Sequence, residues 1–147
     1  MKIHRSIEIT AAGEKIWPFL IEPEEILKWC HTLKKLLRTS EQRSGLETSF
    51  YFEERAAGLL LKLNFVITEW VHNERVAFKM TSGNFVKGYE QRYTIEATSS
   101  GSRLTCFEDI RLPFGILGKI VGLFRSSTSE AHLERMLTKL KSLSEAT

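Results

Sequence analysis

The sequence predicts an α+β fold, an antiparallel sheet with helices on one side, and three observations predict it. Residues 3–10 alternate apolar and polar side chains, as a half-buried strand does. From residue 46 onward, apolar and aromatic runs separated by turn-forming residues indicate about six further strands. Residues 113–145 carry apolar side chains at helical spacing, so a long helix is expected last. Strands gathered in one run with helices outside it are typical of this class.

Length and composition narrow the function classes. The 147 residues fit a single domain, 1–147, that is large enough to bury a core. Hydrophobic residues make up 42% and charged residues 27%, which excludes a disordered tail. The net charge of +3 is too small to indicate a nucleic-acid partner. No apolar run reaches the roughly 18 residues of a membrane span, and no signal peptide is visible, so we expect a cytoplasmic protein.

The residue types that hold metals and cofactors are sparse. Cys30 and Cys106 form no CxxC motif, and the four histidines are scattered, with none at metal-ligand spacing. The sequence has no phosphate loop, dinucleotide fingerprint or serine-nucleophile motif. We therefore expect no metal and no cofactor.

Two short helices are expected after the first strand. Residues 11–13, Ala-Ala-Gly, break the strand, and Ile16, Trp17 and Leu20 follow at helical spacing. Pro23 suits the first turn of a second helix, because proline needs no N–H partner there. The buried positions of that helix would be Ile26, Leu27 and Trp29.

The hairpin that turns at residues 99–102 predicts which side chains face the interior. The register that pairs Arg92 with Asp109 puts opposite charges together, and it places Tyr93 opposite Glu108. The outward side chains would then be Glu90, Arg92, Asp109 and Arg111. The inward side chains would be Gln91, Tyr93, Glu108 and Ile110.

Two further hairpins, paired independently, predict the same interior. A turn at residues 82–83 places Phe78 opposite Lys87 and Met80 opposite Phe85 on the inner face. A turn at residues 56–58 faces Phe50, Phe52 and Glu54 inward, beside Leu63, Leu61 and Leu59. Glu54 and Lys87 fall near hairpin ends, where a charged head can reach water while its stem covers apolar surface.

The last predicted helix carries two stripes. One consists of Leu117, Val121, Phe124 and Thr128. The other begins with Gly115, Gly118 and Gly122 and continues into Leu133, Met136, Leu140 and Leu143. The glycine half would leave space over the sheet and could act as a lid. Alternatively, the capping-box pattern at residues 127–130 restarts the helix after a loop.

The element order and several local motifs resemble the START-like, or SRPBCC, superfamily, which includes the Bet v 1 plant allergens. The motifs are residues 11–20 (AAGEKIWPFL), Pro23, residues 26–29 (ILKW), 101–105 (GSRLT) and 137–141 (LTKLK). The resemblance implies a helix-grip fold: a curved seven-stranded antiparallel sheet around a long C-terminal helix, with a cavity for hydrophobic ligands between them. Members include lipid carriers, polyketide cyclases and aromatases, quinone-binding proteins and protein-binding modules.

An aromatic inner face with a few polar groups is typical of a ligand pocket. We expect the pocket to be lined by Phe50, Phe52, Leu61, Leu63, Phe65, Phe78, Met80, Tyr89, Gln91, Tyr93, Glu108, Leu117, Val121 and Phe124. The same aromatics could instead be ordinary core. Glu108 is the most informative residue, because an apolar interior raises a carboxyl pKa, and Tyr93 could donate a hydrogen bond to it.

The family resemblance, together with the aromatic inner face, implies three candidate functions. The first is binding of a hydrophobic small molecule, such as a lipid, polyketide or isoprenoid, with transient membrane contact through residues 112–117. The second is a cyclase or dehydratase that uses Glu108, Tyr93 or Gln91 for proton transfer. The third is a protein-binding module on the outer sheet face, where Trp70 and Phe107 would be exposed.

Overall fold

The computed structural model describes residues 2–56, 58–112 and 127–146, with side chains of the last segment from Glu130 onward. These residues form an antiparallel sheet of seven strands in the order β1-β7-β6-β5-β4-β3-β2. The strands are β1 (Lys2–Ile9), β2 (Leu33–Arg38), β3 (Ser49–Ala56), β4 (Leu59–Val71), β5 (Arg75–Gly83), β6 (Gly88–Thr98) and β7 (Gly101–Arg111). The helices described are α1 (Gly13–Ile16), α2 (Pro18–Ile21), α3 (Pro23–Trp29) and α4 (Ser127–Glu145). The predicted α+β class and the seven-stranded helix-grip architecture are confirmed. About six strands were expected from residue 46 onward, but five of the described strands lie there, and β2 precedes them.

Several predictions fall on residues 113–126, which lie outside the described residues. They are the glycine half of the last helix, the choice between a lid and a restarted helix, most of the apolar segment 112–117, and the pocket residues Leu117, Val121 and Phe124.

Three short helices follow β1, where two were expected. The backbone N–H of Trp17 bonds to Gly13 O and closes α1, and Pro18 opens α2 because its missing N–H is not needed in a first turn. Pro23 begins α3 in the same way. Leu27 was expected to be buried and is 41% exposed, because only the narrow side of α3 that holds Ile26 and Trp29 faces the sheet.

The residues assigned to the β3–β4 and β6–β7 hairpins lie on the inward and outward faces as predicted, but all three predicted registers are wrong. Tyr93 pairs with Cys106 instead of Glu108, and Phe50 pairs with Phe65 instead of Leu63, each a slip of two residues. Arg92 therefore lies opposite Phe107, not Asp109, and Glu90 lies opposite Asp109. A slip of two leaves every side chain on its face, because side chains alternate with a period of two.

The third register is wrong for a different reason. Phe78 pairs with Gln91 rather than Lys87, because the end of β5 continues along β4 and a four-residue loop, 84–87, replaces the tight turn. Phe85 and Lys87, expected inside, are exposed in this loop, and Phe85 has a positive φ of 60°. Val86 is the loop residue that is buried.

Trp70 was expected on the outer face and lies inside. The register of β4 against β5 shifts between Ile67 and Glu69, and such a bulge exchanges the two faces of the residues that follow. Trp70 pairs with Val76 and packs edge-on against Trp17, with ring centroids 5.1 Å apart. Phe107 is half-buried. The outer face thus lacks the exposed Trp70–Phe107 patch on which the protein-binding hypothesis depended.

One half of the interior is closely packed, and we call it the packed half. The packed half is defined by five side chains that are at most 2% exposed: Ile9, Ile16, Leu104, Leu137 and Leu140. The start of β7 is fastened to the end of β1, because Ser102 Oγ donates to Ala11 O at 2.7 Å. Gly101 lies so near β1 that an added Cβ would be 2.2 Å from Ile9 O. These contacts give the Gly101–Ser102 pair of the 101–105 motif a structural role.

Candidate functional site

The candidate site is a cavity of about 60 Å³ in the other half of the interior, which we call the cavity half. It lies between the sheet and the helices α2 and α3. Its lining consists of Leu20, Ile26, Trp29, Cys30, Leu33, Leu36, Phe50, Phe52, Glu54, Phe65, Phe78, Gln91 and Tyr93. Among the described residues α4 supplies none of this lining. The last-helix residues expected on it, Leu117, Val121 and Phe124, lie outside the described residues, so the expected position between the sheet and the last helix stays a prediction.

Six of the predicted pocket residues lie on this wall: Phe50, Phe52, Phe65, Phe78, Gln91 and Tyr93. Within the described part of the chain, five others do not: Leu61, Leu63, Met80, Tyr89 and Glu108. Leu61 and Leu63 are at most 1% exposed and belong to the core. Met80 lies half-buried opposite Phe65. Tyr89 and Glu108 are buried beside Gln91, to which both are hydrogen-bonded.

The wall formed by α2, α3 and β2 contributes lining residues that were not among the predicted ones. Trp29 of this wall packs against the sheet, because its ring contacts the Tyr93 ring edge-on with centroids 6.3 Å apart. Its indole N–H donates to Phe19 O at 2.7 Å, which fixes α3 to α2. The sequence did carry a signal, because Ile26 and Trp29 are apolar and three residues apart on a helix beside the sheet.

Glu108 sits in a chain of three hydrogen-bonded side chains. Gln91 Nε2 donates to Tyr89 OH at 3.1 Å and to Glu108 Oε1 at 3.4 Å. Tyr89 OH donates to Glu108 Oε2 at 3.2 Å. Of these three, Gln91 reaches the cavity wall, so it links Glu108 to the cavity.

The predicted hydrogen bond from Tyr93 to Glu108 is wrong. In the observed register Gln91 lies opposite Glu108, and Tyr93 lies opposite Cys106, with which its hydroxyl is hydrogen-bonded. Tyr89 lies two positions before Gln91 on the same face of β6, and its hydroxyl reaches Glu108 diagonally. A slip of two residues therefore replaced one tyrosine with another as the donor.

Glu54 is a second carboxylate of the site and lies on the cavity wall itself. Thr32 Oγ1, just before β2, donates to Glu54 Oε2 at 2.8 Å, and Cys30 Sγ lies 3.9 Å from the same hydroxyl. Burial raises the pKa of Glu54, and the Thr32 hydrogen bond opposes that shift. Thr32 was not among the candidates, because a threonine in a loop carries no periodic signal.

The two carboxylates act on each other. Burial, and after it the charge of Glu54, raises the pKa of Glu108 to about 7. Hydrogen bonds from Tyr89 and Gln91 oppose this shift. Burial, with the nearby Glu54, also raises the pKa of the Cys30 thiol, so Cys30 is not a ready nucleophile. Glu108 can therefore hold or release a proton near neutral pH.

The structure brings together two histidines that are far apart in the sequence. His31 Nε2 lies 3.4 Å from His132 Nδ1, and Arg135 donates to His132 Nδ1 at 2.8 Å. Partial burial, followed by the charges of His132, Arg135 and Lys34, lowers the pKa of His31. In residues 2–56, 58–112 and 127–146, no three His, Cys, Asp or Glu side chains are grouped in a way that could hold a metal ion.

A family model for polyketide cyclases, dehydrases and lipid transport proteins matches residues 1–145. The chain belongs to this family. Its members are described by either chemistry or transport, so membership supports hydrophobic ligand binding or cyclase-like activity and leaves the substrate unspecified. No curated protein matches the chain.

Solved structures share the family fold at low sequence identity. A protein from Thermus thermophilus, TTHA0849, is 19% identical with a TM-score of 0.79, over 99% of this chain and 98% of that chain. A START superfamily protein from Mycobacterium smegmatis is 17% identical with a TM-score of 0.78, over 97% of this chain and 98% of that chain.

The two-domain ARO/CYC protein StfQ, from the steffimycin biosynthetic pathway, is also similar. It is 15% identical with a TM-score of 0.77, and the match spans 99% of this chain but 51% of StfQ. At these identities the similarity shows the fold alone. Separately, none of the helices in the described residues is long and apolar enough to span a bilayer.

Proposed function

We propose that this family member binds a hydrophobic small molecule in the cavity half, with a lipid, polyketide or isoprenoid as the ligand class. The observation that carries the proposal is an aromatic wall interrupted by a few fixed polar groups. Phe50, Phe52, Phe65 and Phe78 supply apolar surface, and Glu54 and Gln91 supply hydrogen-bonding atoms. Pockets that orient apolar ligands combine these two features.

The volume of the cavity limits how much of such a ligand can lie inside it. Ligand pockets commonly measure about 300–1,000 Å³, whereas this cavity holds about 60 Å³. That space accommodates a few heavy atoms, so one end of a slender molecule would fill it. A larger ligand would extend through the mouth or displace wall side chains. Leu33 and Ile26, both half-buried on the wall, are the side chains that a ligand would displace at least cost.

Uptake of the neutral fluorescent probe N-phenyl-1-naphthylamine tests the proposal. Phe78→Trp adds volume inside the cavity, so we expect probe affinity to fall by about tenfold or more. Phe107→Trp is the matched control, because Phe107 lies on the outer face of β7 opposite Arg92, and probe affinity should stay unchanged. Equal affinity in all three proteins would contradict binding in this cavity. Circular dichroism would establish that both variants are folded.

A second function, proton-transfer catalysis of the cyclase or dehydratase type, is favoured by one observation. The Glu108 carboxyl has a pKa of about 7 and connects to the cavity through Gln91, so a proton can be supplied or accepted at neutral pH. Glu108→Gln would then reduce turnover of a polyketide test substrate by about 10²–10⁴-fold with little change in its binding. Turnover by Glu108→Gln equal to that of the wild type would exclude Glu108 as the proton-transfer group.

A further inference from the structure

The polar groups of the cavity wall present hydrogen-bond acceptors. Glu54 uses Oε2 to accept from Thr32, which leaves Oε1 as an acceptor. Gln91 uses its amide N–H groups on Tyr89 and Glu108, which leaves its carbonyl oxygen. The other strong donors on the wall are also in use, because Tyr93 is hydrogen-bonded to Cys106 and the Trp29 indole N–H donates to Phe19 O. A ligand that satisfies this wall must therefore bring its own donors.

The charge around the cavity is negative and has no positive partner on the wall. Glu54 lines the cavity, and Glu108 lies opposite Gln91 on the neighbouring strand and accepts a hydrogen bond from it. Among the described lining residues there is no Lys, Arg or His. Arg38 lies beside the wall, opposite Phe50, with its guanidinium 5.8 Å from the Phe50 ring centroid. Its Nη2 is paired with Glu22 at 3.4 Å, and its buried Nε has no hydrogen-bond partner among the described residues. A buried carboxylate without a cation is costly, and a cationic ligand would remove that cost.

The remaining surface suits a cation as well as a hydrocarbon. Six aromatic rings contribute to the wall, namely Trp29, Phe50, Phe52, Phe65, Phe78 and Tyr93. The faces of aromatic rings attract ammonium groups within about 6 Å, and the attraction grows when water is excluded. An aromatic wall with a carboxylate at one end is therefore complementary to an amine attached to an apolar body.

We propose that the cavity binds a compact organic ammonium ion, with its nitrogen between Glu54 Oε1 and the Gln91 carbonyl and its hydrocarbon part against the aromatic rings. This inference rests on the proposed function, because it names the ligand class of the same cavity. Glu108 adds a regulatory effect, since its ionisation places a second negative charge beside Gln91. Ammonium binding should therefore strengthen as pH rises through the range in which Glu108 loses its proton.

Three probes with the same hydrocarbon and different charges test the inference: n-butylamine, 1-butanol and butyrate. Each is titrated into isotope-labelled protein while the indole N–H resonance of Trp29 is followed by NMR. We expect n-butylamine to bind about tenfold or more tightly than 1-butanol, and butyrate to leave the resonance unmoved. Equal affinity for the amine and the alcohol would overturn the inference.

Two variants separate the charge from the shape. Glu54→Gln keeps the size of the side chain, so n-butylamine affinity should fall by about tenfold or more while 1-butanol affinity is unchanged. Glu53→Gln is the matched control, because Glu53 neighbours Glu54 on β3, faces outward and is bonded by Tyr51 OH. A larger loss of affinity for the amine than for the alcohol in Glu54→Gln supports the inference, and an equal or smaller loss for the amine overturns it.

The pH dependence provides a further readout. An alkylammonium stays protonated between pH about 6 and about 8, so a change in its affinity there reports on the protein. We expect the wild type to bind n-butylamine more tightly at the higher pH and Glu108→Gln to show no such rise. The same rise in Glu108→Gln would exclude Glu108 as its cause.

The failure of this inference and of the proposed function would look different. If N-phenyl-1-naphthylamine binds and Phe78→Trp weakens it, while n-butylamine does not bind, the cavity takes a ligand but the ammonium class is wrong. If neither the naphthylamine probe nor n-butylamine binds, the proposed function fails and the inference fails with it.

Discussion

The packed half and the cavity half are built from the same sheet, yet they differ in what fills the interior. In the packed half, Leu104, Leu137 and Leu140 are fully buried aliphatic side chains in mutual contact with neighbouring core residues. In the cavity half, Phe50 and Phe78 surround open space beside two carboxylates. Aliphatic residues interdigitate closely, whereas a cavity forfeits packing contacts and a buried carboxylate costs free energy. The packed half therefore contributes more to stability, and the cavity half is where the proposed ligand would bind.

The largest expected effect is a loss of stability in the packed half. Leu140→Ala removes a side chain with no exposed surface and leaves a void, so unfolding free energy should fall by about 2–5 kcal/mol. Ile26→Ala, on the half-buried wall of the cavity half, should cost distinctly less because the cavity already exists there. Urea denaturation of both variants measures the difference. Equal losses would show that the two halves do not differ in packing.

The next largest effect is a pH dependence confined to the cavity half. The folded-state pKa of Glu108, about 7, is above its unfolded value of 4.5, so the unfolded chain releases the proton first as pH rises. Glu108 therefore lowers stability progressively from its unfolded pKa and levels off above its folded pKa. Between pH about 5 and about 8, the wild type should lose about 2–3 kcal/mol that Glu108→Gln does not lose.

Denaturant titrations across this pH range measure that slope, with Glu53→Gln on the outer face of β3 as the control. We expect Glu53→Gln to keep the wild-type slope. Parallel pH profiles for the wild type and Glu108→Gln would mean that Glu108 is solvated in the folded state.

A smaller effect contrasts two glycines with positive φ. Gly101→Ala places a Cβ 2.2 Å from Ile9 O, so backbone in the packed half must move, and we expect a loss of about 1–3 kcal/mol. Gly58, in the hairpin turn of the cavity half, has nothing within 4 Å of an added Cβ. Gly58→Ala should therefore cost only the conformational penalty of about 1 kcal/mol, which Gly58→Asn should partly recover. Thermal unfolding compares the three variants, and a larger loss at Gly58 would contradict the assignment.

The smallest perturbation leaves the fold intact and compares the two free thiols. Cys30 lines the cavity and Cys106 is completely buried. Burial raises the pKa of both thiols, so each should react slowly with a disulfide reagent at neutral pH. We expect Cys30 to react before Cys106, and a saturating cavity probe to slow Cys30 alone. Mass spectrometry of the labelled sites measures the order of reaction. Faster labelling of Cys106 than of Cys30 would contradict solvent access through the cavity half.

The sequence by itself determined which side of β6 and of β7 faces the interior. Alternation in β6 and β7 put Glu108 and Tyr93 inside and Arg92 outside, and the structure agrees. Face assignment survives a register error of two residues because the side-chain period is two. The same property means that alternation cannot choose between registers that differ by two, and the charge pairing of Arg92 with Asp109 favoured the wrong one.

Only the tertiary structure decided the contacts that define the site. The two-residue turn between Thr98 and Gly101 set the β6–β7 register and made Tyr89, rather than Tyr93, the donor to Glu108. The bulge in β4 turned Trp70 inward, and the local sequence pattern did not predict that bulge. Thr32 meets Glu54 from 22 positions away along the chain. Side-chain alternation is local and is written in each strand, whereas turn length, bulges and long-range pairing are settled by the whole sheet as it closes over its core.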